Sequence, residues 1–301
     1  MDMQLENIYL KSLEKFGKSR FTPAQFASLH GLSVNTSKVL IHRMKKGHQL
    51  FSAGRGEYVL LSMESFLKLQ QLAGKSRMLH SLAIELFSLF PELKALVLYG
   101  SQVRGDADKL SDYDILLILP EKTIETDEVK QKLEGKFHIK LHLAIYSESG
   151  YRNAALSEPY IRFWLSEGLI FDEGGITHSP LPPVPKIAYE EWLSTARTYV
   201  RIARGSETRR GKYYLTALEI LGLISFSLKL TYDYGAVRKR IADLLGTDLI
   251  LRIRSGGRIT RSKEKLLEKS CKNEISAISS MLGLMGYNEA DLFWKNRIAG
   301  A

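Results

Sequence analysis

The chain has 301 residues, 45% of them hydrophobic and 25% charged, which is the make-up of a folded globular protein and excludes a disordered or fibrous one. A single core rarely grows beyond roughly 250 residues, so two or three domains are expected. Cys271 is the only cysteine, which excludes an intrachain disulfide and a thiolate zinc cluster and suits a reducing, cytoplasmic setting. The formal net charge of +10 is uneven: +5 over residues 1–62, −3 over 63–187 and +8 over 188–301. A slightly acidic centre between two basic flanks suits cations held between surfaces for polyanions.

The first residues, Met1 to Glu6, lack the basic start and apolar run of a signal peptide. The longest apolar stretch, Leu215 to Leu230, is interrupted by Glu219, Ser225, Ser227 and Lys229 and falls short of the roughly 20 residues a membrane span needs. No membrane partner is expected.

In residues 1–62, Leu5, Ile8, Tyr9, Leu13 and Phe16 recur at helical spacing and predict a first amphipathic helix. Thr22-Pro23-Ala24-Gln25 reads as a capping box with proline at the first helical position, and Gly31 closes that short helix. Ser33 then caps a third helix running to Gly47, with Asn35, Lys38, His42 and Lys45 on one exposed stripe. Two apolar runs, Leu50 to Ala53 and Tyr58 to Leu61, flank Gly54-Arg55-Gly56-Glu57 and predict a hairpin with Arg55 near its tip. Three helices and such a hairpin resemble the winged helix-turn-helix family. That resemblance implies DNA binding through Asn35, Lys38, His42, Lys45 and Arg55, with protein binding as the alternative.

Residues 63–175 form the central α/β piece. A helix around Ser76–Phe90 leads into a strand over residues 95–99, and a second strand runs from Asp114 to Leu119. A helix follows near Glu125–Glu134, then a third strand from Phe137 to Tyr146. Gly100-Ser101 ends the first strand, Arg104-Gly105 follows, and ten residues after Ser101 comes Ser111-Asp112-Tyr113-Asp114 at the head of the second.

Side chains alternate along a strand, so Asp112 and Asp114 point the same way, about 7 Å apart at Cα, and can meet a cation from one side. Gly100 lets backbone approach a phosphate, and Ser101 offers it a hydroxyl and an amide. Together these residues resemble the minimal nucleotidyltransferases of the DNA polymerase β superfamily, whose signature is a Gly-Ser turn, an Arg-Gly pair and Ser-Asp-x-Asp opening a strand. The resemblance implies transfer of a nucleoside monophosphate from a nucleoside triphosphate, ATP being the expected one, with Mg2+ or Mn2+. It assigns Asp112 and Asp114 to catalysis and metal, and Gly100, Ser101, Arg104 and Ser111 to the nucleotide.

That family places a third aspartate on the next strand. Here the corresponding face carries His138, Lys140, His142, Ala144 and Tyr146, with His142 at the expected register. The missing carboxylate leaves two readings of the site open: an enzyme, with His142 beside the two aspartates, or a nucleotide sensor in a DNA-binding regulator.

Gly174-Gly175 and four of the eight prolines, Pro180 to Pro185, predict a linker over residues 176–187. From residue 188 to 301 the pattern is helical, with Tyr214, Leu218, Leu221, Ile224 and Leu228 forming the stripe that a bundle buries. The expected fold is therefore α+β and multidomain: a winged helix, a polymerase β-like α/β domain with a small mixed sheet, and an all-α bundle. The bundle resembles those paired with minimal nucleotidyltransferases in toxin–antitoxin modules, which adds an antitoxin-like role with a toxin or other protein as partner.

Overall fold

The computed structural model describes residues 3–107, 111–121, 125–158, 160–178 and 181–286. The chain folds into two compact units, Met1–Tyr151 with Gly168–Pro180, and Arg152–Glu167 with Leu181–Ala301. Among the described residues, no helix is long and apolar enough to cross a membrane.

The first unit opens with α1 (Met3–Phe16), α2 (Pro23–His30) and α3 (Val34–Lys46). Helix α2 starts where it does because Thr22 Oγ1 accepts from the Gln25 amide at 3.3 Å while Gln25 Oε1 accepts from the Thr22 amide at 2.8 Å. It stops at Gly31, whose φ of 64° is left-handed. Ser33 caps α3 by accepting from the Thr36 amide at 3.1 Å.

Strands β1 (Leu50–Gly54) and β2 (Glu57–Leu60) pair antiparallel, Leu50 with Leu60 and Phe51 with Val59. Tyr58 also bridges back to Phe21, ahead of α2. Tyr9, Phe21, Phe26, Ile41, Met44, Leu50 and Leu60 are buried between these elements, and the Tyr9 hydroxyl donates to the Leu61 carbonyl at 2.6 Å.

Two helices follow, α4 (Met63–Lys75) and α5 (Arg77–Leu89). The sequence pattern predicts only the second. Phe66, Leu69 and Leu72 of α4 turn inward at helical spacing. Ser62 caps its start by accepting from the Ser65 amide at 3.2 Å, and the Glu173 carboxylate, which also pairs with Lys18, accepts in turn from the Ser62 amide and hydroxyl. The distant carboxylate leaves no local signal.

The sheet comprises β3 (Ala95–Tyr99), β4 (Tyr113–Leu119), β5 (Leu141–Ser147) and β6 (Leu169–Asp172). Its spatial order is β5-β4-β3-β6, with β3 antiparallel to β4 and β6, and β4 parallel to β5. All of β3 and Ile115–Leu119 of β4 are buried, hence their unbroken apolar runs. Between strands lie the single turn α6 (Ser101–Arg104) and α7 (Thr126–Phe137).

The third strand begins at Leu141 and not at the predicted Phe137. Phe137 continues the Val129–Leu133 stripe of α7, and His138 ends that helix at a left-handed φ of 54°. Chance alternation from Phe137 to Leu141 had mimicked a strand.

In the second unit, α8 (Glu148–Ser157) from Arg152 onward and α9 (Tyr160–Glu167) join five further helices: α10 (Lys186–Gly205), α11 (Arg210–Ser227), α12 (Tyr234–Leu245), α13 (Thr247–Arg254) and α14 (Arg261–Leu284). Tyr214, Leu218, Leu221 and Ile224 of α11 are buried, and Phe163 of α9 belongs to the same core. The compact units therefore draw residues 152–167 away from the α/β piece, although in sequence they lie inside the predicted 63–175 span.

The proline-rich stretch is partly built in. Val184 is buried and Pro185 directly precedes α10. Asp172 organises its approach by accepting from the amides of Gly174, Ile176, Thr177 and His178 and from the Thr177 hydroxyl.

Candidate active site

The first fully buried strand, β3, delivers Tyr99 and then Gly100 to one edge of the sheet. Gly100 sits at φ 80° and ψ −166°, a region essentially confined to glycine. A Cβ there would fall on Asp114 Oδ2, so the position demands glycine on two independent grounds. The turn that follows, α6, brings the Ser101 carbonyl to the amides of Gly105 and Asp106, at 2.9 and 3.1 Å. Gly105 closes it at a φ of 82°.

Antiparallel pairing places Asp114 opposite Tyr99, and parallel pairing places His142 opposite Asp114. One row across three strands thus carries Tyr99, Asp114 and His142. His142 Nδ1 lies 3.1 Å from Asp114 Oδ1, and the Tyr99 hydroxyl is 3.4 Å from the same nitrogen. A carboxylate only accepts, so Nδ1 carries the proton and donates it to Asp114. That hydrogen bond holds the pKa of His142 above its ordinary value, against the opposing effect of partial burial. The imidazole is consequently biased toward its charged form and toward neutralising Asp114.

Asp112, one step before β4, is exposed at the same edge, while Asp114 and Ser111 are half-buried. The Ser111 carbonyl accepts from Gln102 Nε2 at 3.3 Å, which ties the α6 turn to the head of β4. Arg104 Nε stands 3.4 Å from Asp106 Oδ1. Gly100, Ser101, Arg104, Ser111, Asp112, Asp114 and His142 therefore gather at one sheet edge. Sequence reasoning missed Tyr99 and Gln102; both act through cross-strand or cross-turn pairing, which no local spacing encodes.

The donor set sets the limits for a cation. Two carboxylates suit one hard cation that draws its remaining oxygens from a triphosphate and water. The third position at this edge is an imidazole, a ligand that magnesium does not favour. Glu148, just past β5, cannot make up the deficit. The strand carries it six residues from His142, about 20 Å along the sheet at some 3.3 Å per residue.

Asn35, Lys38, His42 and Lys45 are exposed on α3, and Arg55 is exposed in the β1–β2 turn. Lys45 Nζ donates to Ser52 Oγ of β1 at 3.0 Å, which links the helix to the hairpin.

Residues 81–163 match the family described as "Nucleotidyltransferase domain", a span that contains every residue of the sheet-edge site. No curated protein matches the chain. Among solved structures, the chain is similar to spectinomycin adenyltransferase AAD(9) from Enterococcus faecialis with ATP and spectinomycin, at 11% identity and a TM-score of 0.41, over 71% of this chain and 99% of that one.

Proposed function

We propose that the edge formed by Gly100, Ser101, Asp112 and Asp114 binds a nucleoside triphosphate, ATP in the first instance, and transfers its nucleoside monophosphate to a hydroxyl. The observation that carries this reading is the Gly100–Asp114 fit, a glycine-only turn closed against a strand-borne carboxylate inside a span of nucleotidyltransferase type. In the transfer, the acceptor oxygen forms a bond to the α-phosphorus as the bond to the β-phosphate oxygen breaks, and pyrophosphate departs with that electron pair. The acceptor proton must pass to a base.

Asp112 and Asp114 would hold Mg2+ or Mn2+, which when bound supplies positive charge against the triphosphate. Ser101 and Arg104 are placed in this reading to meet phosphate oxygens. His142 stands where a third carboxylate would complete a two-cation site, so the edge is left with donors for one cation, which supports slow transfer with intact nucleotide binding. The acceptor is a hydroxyl on protein, nucleic acid or a small molecule.

Replacing both aspartates, Asp112→Ala with Asp114→Ala, should abolish metal-dependent ATP binding measured by calorimetry, with the circular dichroism of the fold unchanged. Unaltered affinity in that variant sinks the assignment.

A second reading is favoured by α1 to α3 and the β1–β2 hairpin, with Asn35, Lys38, His42, Lys45 and Arg55 exposed on them. In it the N-terminal residues 1–62 are a winged helix that binds DNA, and the nucleotide site acts as a sensor for a transcriptional regulator or an antitoxin-like protein. Nucleotide-dependent DNA binding without turnover of ATP would select this reading over the first.

A further inference from the structure

The second unit carries a cationic groove that nucleotidyl transfer leaves unused. On α10, Arg197, Arg201 and Arg204 recur at intervals of four and three residues and so stand on one face. On α14, Lys265, Glu268, Lys272 and Ser276 do the same. The two helices run antiparallel here: Arg197 Nη2 donates to Ser279 Oγ at 2.9 Å, and further along Arg204 Nη2 meets Glu268 Oε1 at 3.0 Å. Between them lies a groove of about 320 Å³, bordered by the three arginines and Lys272.

All four cations are exposed. Among the described residues, Glu268 is the carboxylate set among them, and it contacts both Arg204 and Lys272, the latter at 3.0 Å. A single acid bridging two bases fixes their positions and leaves the groove cationic. Arg201 makes no ion pair among the described residues. The charge also continues beyond the groove, because Arg252, Arg254, Arg258, Arg261, Lys263 and Lys265 crowd the end of α13, the loop that follows and the first turns of α14, all exposed. In that segment Arg254 is engaged by Glu219, and Glu264 by Arg210.

We infer that this groove is a binding site for the sugar-phosphate backbone of a nucleic acid. Three features select that ligand. Arginines one helical turn apart, about 5 to 6 Å, match a ligand that repeats its charge, and guanidinium forks grip phosphate oxygens in pairs. Cations border the groove from both helices, Arg197, Arg201 and Arg204 from α10 and Lys272 from α14, so a chain of phosphates lying along it is met from two sides. Among the described residues that line it, Val200 and Ile275 are the apolar ones and none is an aromatic anchor of the kind that dominates protein–protein contacts. Contacts to phosphates carry no base information, so binding through this groove is indifferent to sequence and steeply dependent on salt. The inference is independent of whether the Asp112–Asp114 site turns over.

The test uses the full chain and a fluorescently labelled single-stranded RNA of about 20 nucleotides, titrated by anisotropy over a range of salt. Reversing two groove charges, Arg201→Glu with Lys272→Glu, should weaken binding at least about tenfold at low salt and reduce the slope of log K against log salt by roughly 1.4, at about 0.7 for each phosphate no longer neutralised. Lys75→Glu with Lys132→Glu changes the net charge equally at exposed positions of the first unit outside both proposed nucleic-acid surfaces, and should weaken RNA binding far less. Arg201→Gln with Lys272→Gln removes charge without adding any and should give an intermediate loss, guarding against misfolding of the reversal. Equal losses from both reversals, or none from the groove pair, overturn the inference. Tighter, groove-dependent binding of polyglutamate than of RNA overturns the nucleic-acid assignment.

Discussion

Gly100 and His142 show how differently single residues report their roles. The glycine was legible, since a Gly-Ser turn after an apolar strand and ahead of Asp-x-Asp leaves few alternatives, and the structure adds the contact with Asp114 that explains it. Gly100→Ala would meet both a forbidden backbone region, costing about 1–3 kcal/mol, and a collision with Asp114. A lowered melting temperature together with weakened ATP binding is expected; an alanine variant that binds ATP as well as the wild type would contradict the fit. His142 was legible only as a place on a strand face, because its pairing with Asp114 and the nearby Tyr99 depends on register across three strands. His142→Asp removes the imidazole that neutralises Asp114 and puts a third carboxylate at the site. Transfer of label from radioactive ATP should rise at least about tenfold, the rate equivalent of roughly 1.4 kcal/mol. A fall would instead make the histidine the base of the reaction.

Among the elements, those with local punctuation were readable and those fixed from afar were not. Helices α2 and α3 announce themselves through Thr22, Pro23, Gly31 and Ser33. Helix α4 has Ser62 as its own cap, but Glu173 from beyond β6 completes it. Asp172, beside Glu173, gathers the 173–178 segment. Burial alone would raise its pKa, yet the hydrogen bonds from Thr177, Ile176 and Gly174 outweigh burial and hold the carboxyl below its ordinary value. A depressed carboxylate contributes stability that is present above its unfolded pKa, near 4, and is lost as pH falls through the folded value. Asp172→Asn should therefore cost about 2–4 kcal/mol at neutral pH, since several charge-assisted hydrogen bonds are weakened together. The difference between wild type and variant in urea unfolding should shrink as the medium is taken below pH 4. A difference that stays constant down to pH 2 would show that the charge of Asp172 is not what anchors the segment.

For the whole molecule, the charge map along the sequence gives the prediction that bears on the N-terminal residues. If α3 and the β1–β2 turn meet duplex DNA, then Lys38→Ala, Lys45→Ala and Arg55→Ala together should lower the salt slope by up to about 2.7, near 0.9 per phosphate neutralised. Electrophoretic mobility shifts over a salt series measure it. No binding by the wild-type chain at low salt would make residues 1–62 a protein-interaction module.

The route of the chain between the two units has a consequence during synthesis. It leaves the first unit after Tyr151, returns at Gly168 to lay β6 against β3, and leaves again after Pro180. A growing chain that has just completed its sheet therefore already carries α9, whose Phe163 packs on a Tyr232 not yet made, and whose Ser166 bonds a carbonyl 66 residues ahead. Until residue 232 emerges, that aromatic surface is the nascent protein's exposed flank, open to chaperones and to its neighbours on the same messenger. Splitting the chain at residue 180 would make this passing state permanent in the N-terminal fragment and leave the C-terminal fragment without Phe163 in its core.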